Sequence, residues 1–155
     1  MSLRVSILQI GKTKTDYLKE GEAEYQKRLS AFCKLEIKSL KEFKGKTPAE
    51  QIALEGAEIL QNLPHNSYLI ALDEHGESMN SKAFAKKLAT LSTNGHSHLC
   101  FVIGGPYGLS PQFLSQAKLK LSCSEFTFTH EMVRLILLEQ IYRAFTINTG
   151  KKYHY

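Results

Sequence analysis

The segment Phe101-Val102-Ile103-Gly104-Gly105-Pro106-Tyr107-Gly108 runs from three apolar residues straight into two glycines, a proline and a third glycine. A buried strand that breaks into adjacent glycines can adopt positive φ, and it lets a ligand approach the main chain with no Cβ in the way. Ser110-Pro111 then reads as a helix start, with serine at the N-cap and proline in the first turn. In open α/β sheets small molecules bind at such carboxyl ends of strands, so the turn predicts a small-molecule site. It is not the GxGxxG fingerprint, and no Walker lysine follows it, which argues against a dinucleotide or a triphosphate. Standing alone, the same glycines equally make a tight turn with no ligand.

The chain ends in Lys151-Lys152-Tyr153-His154-Tyr155. Two ammonium groups, two phenols and an imidazole in five residues can stack a nucleobase and hold phosphate, or they can be an ordinary frayed end. Upstream, Glu139 and Arg143 stand four residues apart in a helical pattern, the spacing of a surface ion pair. His130 falls at the start of that helix. His96 and His98 share one face of a strand, but with no third ligand in view they do not make a zinc site. The three cysteines, Cys33, Cys100 and Cys123, are odd in number and contain no CxxC pair, so they read as reduced, small apolar residues. A hydrolytic nucleophile, Ser110 or Cys123 with a histidine, lacks the GxSxG elbow that would support it.

Alternating elements carry these residues. Leu3 to Ile10 reads as a strand ended by Gly11. Asp16 to Ser30 spaces Tyr17, Leu18, Ala23, Tyr25 and Leu29 as the apolar side of an amphipathic helix. Lys34 to Leu40 alternates like an edge strand with one wet face. After the basic loop Glu42 to Lys46, Thr47-Pro48-Ala49-Glu50 is a capped helix start, and Pro64 stops the helix near Leu63. Ser67 to Leu72 predicts a third strand that ends at Asp73-Glu74-His75-Gly76. Asn80 or Ser81 opens a helix to about Ser92, and His98 to Ile103 forms the fourth strand. A short helix follows over Pro111 to Ala117, and the last strand and its loop lie within Leu119 to Phe128. Met132 to Ile147 is a helix apolar around its whole circumference, so the sheet covers one side and a second subunit is expected on the other.

This alternation predicts one α/β domain over residues 1–155, with a mainly parallel sheet and helices on both faces. The 155 residues carry a net charge of +5, which suits a polyanionic partner such as RNA or DNA. No apolar run is long enough to span a membrane, and the opening residues lack a secretory pattern, so a cytoplasmic protein is expected.

Taken together, Ala71 to Gly76, Phe101 to Leu109, Leu121 to His130, Val133-Arg134, Glu139 to Ala144 and Tyr153-His154 resemble the SPOUT superfamily of RNA methyltransferases. Within it they resemble the bacterial family that modifies a pseudouridine of 23S ribosomal RNA. The resemblance covers essentially the whole chain, including Glu24 to Leu29. It implies an α/β knot, in which the C-terminal segment threads a loop to make a trefoil and so builds a pocket for S-adenosylmethionine. The cofactor contacts it implies are Leu72, Gly104, Cys123, Ser124, Glu125, Phe126, Thr127 and Phe128. It further implies a homodimer without a metal that methylates N3 of a pseudouridine in helix 69, on assembled ribosomes. The imide proton of N3 must leave during such a transfer. His154 and Arg143 are the first candidates to assist it, with Tyr153 orienting the base; Arg134 and His130 come second. Lys151, Lys152, Lys44 and Lys46 are expected against phosphate, and the tail of one subunit is expected to complete the pocket of the other. The competing reading is an RNA-binding module without chemistry, which accounts for the charge and the tail but not for the cofactor-loop match.

Overall fold

The computed structural model describes residues 3–153; His154, proposed for the proton, lies outside them. Five strands, β1 (Arg4–Ile10), β2 (Lys34–Leu40), β3 (Tyr68–Ser78), β4 (His98–Ile103) and β5 (Leu119–Ser122), form one sheet in the order β2-β1-β4-β3-β5. All the neighbouring pairs are parallel. The helices are α1 (Asp16–Leu29), α2 (Pro48–Gln61), α3 (Ser81–Thr93), α4 (Pro111–Leu114) and α5 (His130–Thr149).

Position in the sheet explains strand composition. β4 lies between β1 and β3 and is apolar almost throughout, as a strand covered on both faces must be. β2 sits at the edge and keeps the alternation of Leu35 and Ile37 with Lys34, Glu36 and Lys38. On one face Val5, Ile7, Ile70 and Phe101 meet Leu29, Phe84, Leu88, Leu138 and Ile141. On the other, Leu8, Ala71, Cys100 and Val102 meet Ile59 and Phe113. Helices therefore cover both faces, as the alternation predicts.

The short helix α4 stops at Leu114 and does not reach Ala117, and two larger elements also depart from expectation. β3 does not end at Leu72: after an irregularity between Leu72 and Glu77 it resumes pairing, and both of those residues stand opposite Leu121 of β5. Asp73 Oδ1 accepts a hydrogen bond from the His75 backbone N–H at 3.2 Å, which shapes the bulge. Gly76 then passes so close to the Lys120 backbone that a Cβ would lie 2.6 Å from its carbonyl carbon. The second departure is α5, which is longer at both ends than Met132 to Ile147. Thr129 caps it by accepting from the Met132 N–H at 3.2 Å, and Gly150 ends it in the left-handed conformation at φ +74°. Its broad apolar surface is met by α1 and α3 as well as by the sheet, and Gly21 of α1 comes close enough that a Cβ there would meet Leu135 at 2.9 Å. Met132, Leu135, Ile136, Tyr142 and Phe145 remain only half-buried.

Candidate functional site

The carboxyl ends of β4 and β5, the bulge of β3 and the entrance to α1 line one cleft of about 1000 Å3. This is the position where open parallel sheets take ligands. Its walls are Leu72 and the β3 bulge, the turn from Ile103 to Leu109, the segment from Leu121 to Thr129, the first turn of α5, and Thr15, Tyr17 and Leu18 from the entrance to α1. Of the residues expected to hold a cofactor, Leu72, Gly104, Cys123, Ser124, Phe126, Thr127 and Phe128 all line it. Glu125 does not; it stands exposed on the same loop.

The glycine turn is held by its own backbone. Gly108 donates to the Gly105 carbonyl at 3.1 Å with φ +87°, and a Cβ on Gly104 would lie 2.8 Å from the Gly108 carbonyl carbon. Beneath it the buried Glu55 of α2 packs so closely that a Cβ on Gly105 would come within 2.7 Å of Oε1. Burial pushes the Glu55 carboxyl above the ordinary range, partly offset by the Gln51 side chain, which donates to it at 2.9 Å. Opposite, Ser122 Oγ donates to the Ser124 carbonyl at 2.9 Å, and Ser124 Oγ accepts from the Phe126 N–H at 3.0 Å. These short bonds fold residues 122–126 against the mouth.

The two candidate nucleophiles are otherwise engaged. Ser110 Oγ accepts from the Phe113 N–H at 3.1 Å as the cap of α4. Burial pushes the Cys123 thiol up to about 11, so it stays protonated at neutral pH.

The proton candidates fall into separate places. Arg134 is buried at 2% exposure and is absent from the cleft lining. Its guanidinium donates to the Ile10 carbonyl at 2.6 Å and to Thr13 Oγ1 at 3.0 Å, which makes it a strut under the β1–α1 loop rather than a proton-transfer group. Glu131 works beside it by accepting from the backbone N–H groups of Lys14 and Thr15 at 3.0 and 3.2 Å. Burial acts to raise the Glu131 pKa, but those two bonds and the Arg134 charge hold it below the ordinary range. His130 lines the cleft, and its pKa is lowered by burial and then by the Arg134 charge.

Arg143 and Tyr153 lie elsewhere, and neither is among the cleft residues. From His130 to Arg143 the helix rises about 20 Å. The Arg143 guanidinium donates to the Glu139 carboxylate at 2.7 and 3.3 Å and sits 5.0 Å from the Tyr153 ring centroid. The Tyr153 hydroxyl donates to Glu139 Oε2 at 2.8 Å and meets the Tyr25 hydroxyl at 2.8 Å. Burial, followed by these two bonds, pushes the phenol far above its ordinary value, so it keeps its proton. The ion pair expected from the spacing of Glu139 and Arg143 is therefore present, and the tail is fastened to it. Sequence reasoning missed three contributors: Glu131, the buried Glu55, and Tyr17, which the helical spacing placed on the apolar side of α1 but which is 66% exposed at the cleft.

A family model described as predicted SPOUT methyltransferase matches residues 3–154. The chain belongs to the SPOUT methyltransferase family. Among its relatives are the proteins named ribosomal RNA large subunit methyltransferase H of Clostridioides difficile, 46% identical, and of Desulfotalea psychrophila, 43% identical; each alignment covers 98% of this chain and 99% of the relative. Solved structures share the fold at low identity. A probable methylase family protein from Haemophilus influenzae has a TM-score of 0.56 at 13% identity, covering 96% of this chain and 69% of the other. The tRNA (m1G37) methyltransferase of Aquifex aeolicus has a TM-score of 0.55 at 14% identity, covering 92% of this chain and 70% of the other. As a SPOUT methyltransferase the chain needs a methyl donor. The cleft suits such a group, with aliphatic walls from Leu72, Leu109, Leu114 and Leu121 and, in the turn, a Gly108 at which a Cβ would meet nothing within 4 Å. No helix among the described residues is long and apolar enough to cross a membrane, and no cluster of three or more metal-ligating side chains occurs among them.

Two outcomes are expected. Arg134→Met removes both bonds of the buried strut, leaves Thr13 and the Ile10 carbonyl without that partner, and lowers stability by about 3 kcal/mol, read as a fall in the urea midpoint. For His130, the folded state favours the neutral ring, so the unfolded chain binds more protons as pH falls from the ordinary histidine value of about 6.5. Stability therefore declines with falling pH in that window and is recovered above it. His130→Gln should flatten that part of the pH–stability curve, and an unchanged curve would show that His130 does not contribute to it.

Proposed function

We propose that this methyltransferase transfers a methyl group from S-adenosylmethionine to N3 of a pseudouridine in helix 69 of 23S ribosomal RNA, on the assembled ribosome and in the cytoplasm. What carries the reading is the 42–46% identity, over nearly full length, with relatives named ribosomal RNA large subunit methyltransferase H. Further support comes from the convergence of seven of the eight expected cofactor residues on one cleft. Residues 1–155 act as one domain, and the chain path around the cleft is the trefoil knot of the superfamily.

The donor's sulfonium supplies an already activated methyl group. The protein's task is then mostly to position the reactants and to manage the imide proton. Leu72, Leu109 and Leu121 grip the apolar part of the donor, and the backbone of the Gly104 turn and of residues 123–128 reads its polar edges. Arg143, fixed as a cation by Glu139, favours the anion that develops at the imide. Tyr153 orients the base through its ring and does not accept the proton, because its phenol is held protonated. His154 accepts it. Lys44, Lys46, Lys151 and Lys152, exposed to solvent, contact phosphate.

Arg143 stands about 15 Å along α5 from Val133, the last residue of that helix to line the cleft, and Tyr153 packs beside Arg143, so we assign both to the cleft of a second copy. The half-buried apolar residues left on α5 suit that homodimer. On this reading one active centre takes its donor pocket from one subunit and its proton-handling tail from the other.

Two measurements test these assignments. Calorimetry should show saturable binding of S-adenosylmethionine that is lost in Gly104→Trp while circular dichroism is unchanged. A folded wild-type protein that binds none would favour the RNA-binding module without chemistry. Mixing Gly104→Trp with His154→Ala subunits, each inactive alone, should restore methyl transfer to ribosomes to about a quarter of wild type, as random pairing in a two-fold dimer gives one intact site in half of the dimers. No restoration despite demonstrated subunit exchange would show that each site is built within one chain.

A further inference from the structure

Among the described residues, five large hydrophobic or aromatic side chains are exposed: Tyr17, Leu54, Tyr107, Phe126 and Phe128. All four aromatic ones line the mouth of the donor cleft. Two of them, Phe126 and Phe128, belong to the cofactor loop. Tyr17 and Tyr107 do not: Tyr17 stands on the first turn of α1 at 66% exposure, and Tyr107 on the turn after β4 at 52%. Neither takes part in the core clusters. Bare aromatic faces beside a reactive cleft lose hydrophobic stabilisation that burial would supply, and their use is in binding.

Charge identifies what they bind. The loop that leads into α1, residues 11–15, carries Lys12 and Lys14, and Asp16 follows at the head of the helix. It is bonded to the next loop, residues 41–46, which carries Lys41, Lys44, Lys46 and Glu42. Gly11 donates to the Leu40 carbonyl at 2.7 Å, and Lys14 and Lys44 both reach Glu42, at 3.6 and 3.4 Å. The single carboxylate Glu42 thus joins two basic loops into one surface, with exposed Lys12 and Lys46 paired to no carboxylate among the described residues. The Glu131 carboxylate locks this surface to α5 at the cleft wall. An aromatic mouth bordered by a lysine surface is the recognition chemistry of an unstacked nucleotide, with its base on a π-face and its phosphates on ammonium groups.

We propose that Tyr17 and Tyr107 form a base-stacking subsite that receives an unstacked nucleotide of the RNA substrate at the mouth of the cleft, with Lys12 and Lys14 on its phosphates. This rests on the reading of the substrate as RNA and adds the side chains that hold it. The cleft, at about 1000 Å3, lies at the upper end of the size range for small-molecule sites and has room for a nucleoside beside the donor.

The test compares Tyr17→Leu and Tyr107→Leu, which keep apolar bulk and lose the ring, with the corresponding phenylalanine variants, which keep it. The leucine variants should lower kcat/KM for ribosomes about tenfold each, the phenylalanine variants should stay near wild type, and calorimetric affinity for S-adenosylmethionine should be unchanged in all four. Leucine variants with wild-type kcat/KM would overturn the subsite. So would a parallel loss of donor affinity, which would make the tyrosines donor contacts. Cosedimentation with ribosomes separates this proposal from the one beneath it. A wild-type protein that pellets with ribosomes but transfers no methyl group would sink the methyl-transfer reading alone, and the stacking subsite would then stand or fall on whether the leucine variants pellet about tenfold more weakly. A wild-type protein that does not pellet with ribosomes at all would sink both.

Discussion

A single guanidinium, that of Arg134, ties together the parts of this molecule that must not move relative to one another. It reaches from the second turn of α5 to the end of β1 and bonds the Ile10 carbonyl and Thr13. Burial disfavours this cation, and its Nε has no hydrogen-bond partner among the described residues; the carboxylates of Glu22 and Glu131 offset part of that cost. Glu131, three residues before Arg134, bonds the backbone of the same loop from outside. One helix end, one strand end and one loop become a rigid corner, and the cleft is hung on it. Tyr17 follows that loop directly, and His130 stands at the head of that helix.

The second fixed unit lies at the far end of α5. Glu139 accepts from Arg143 and from Tyr153, and Tyr25 of α1 closes the group. Arg28 and Tyr142 pack around it, with ring centroids of Tyr142 and Tyr153 at 4.8 Å. The cation here is held in place by its carboxylate, and the phenol is held in its protonated form. The two units share one helix but serve opposite ends of it. The composite centre proposed above for two copies would use both without asking the chain to bring its ends together.

Much of this was legible in the residues because the physics is local. An apolar run ended by glycines marks a buried strand and its turn, and the cleft is found there. Thr47, Asn80 and Ser110 cap helices where their types and spacing say they should. Residues that act at long range were not legible. The continuation of β3 beyond Leu72 is set by β5, which enters the sheet more than forty residues later. Arg134 has the composition of a catalytic group and the environment of a strut, and only the partners distinguish the two. Tyr17 sits at a spacing that suits the core, yet among the described residues it is left 66% exposed. The attachment of Tyr153 to Tyr25 spans 128 residues, and no window of sequence contains it.

The order of the strands also bears on how the chain comes to be folded. β1 is made first, yet one of its two partners is β4; Ser6 and His98, whose side chains meet at 2.7 Å, are separated by 92 residues. β2 can pair early on the opposite side, but the other edge of β1 stays bare until well over half of the chain has left the ribosome. An apolar strand edge waiting that long invites pairing with the wrong chain, and closing so large a loop makes the central pairing slow. Of the two pairings that β1 makes, the seam with β4 closes the larger loop, and while that edge is open the growing chain is exposed to mispairing.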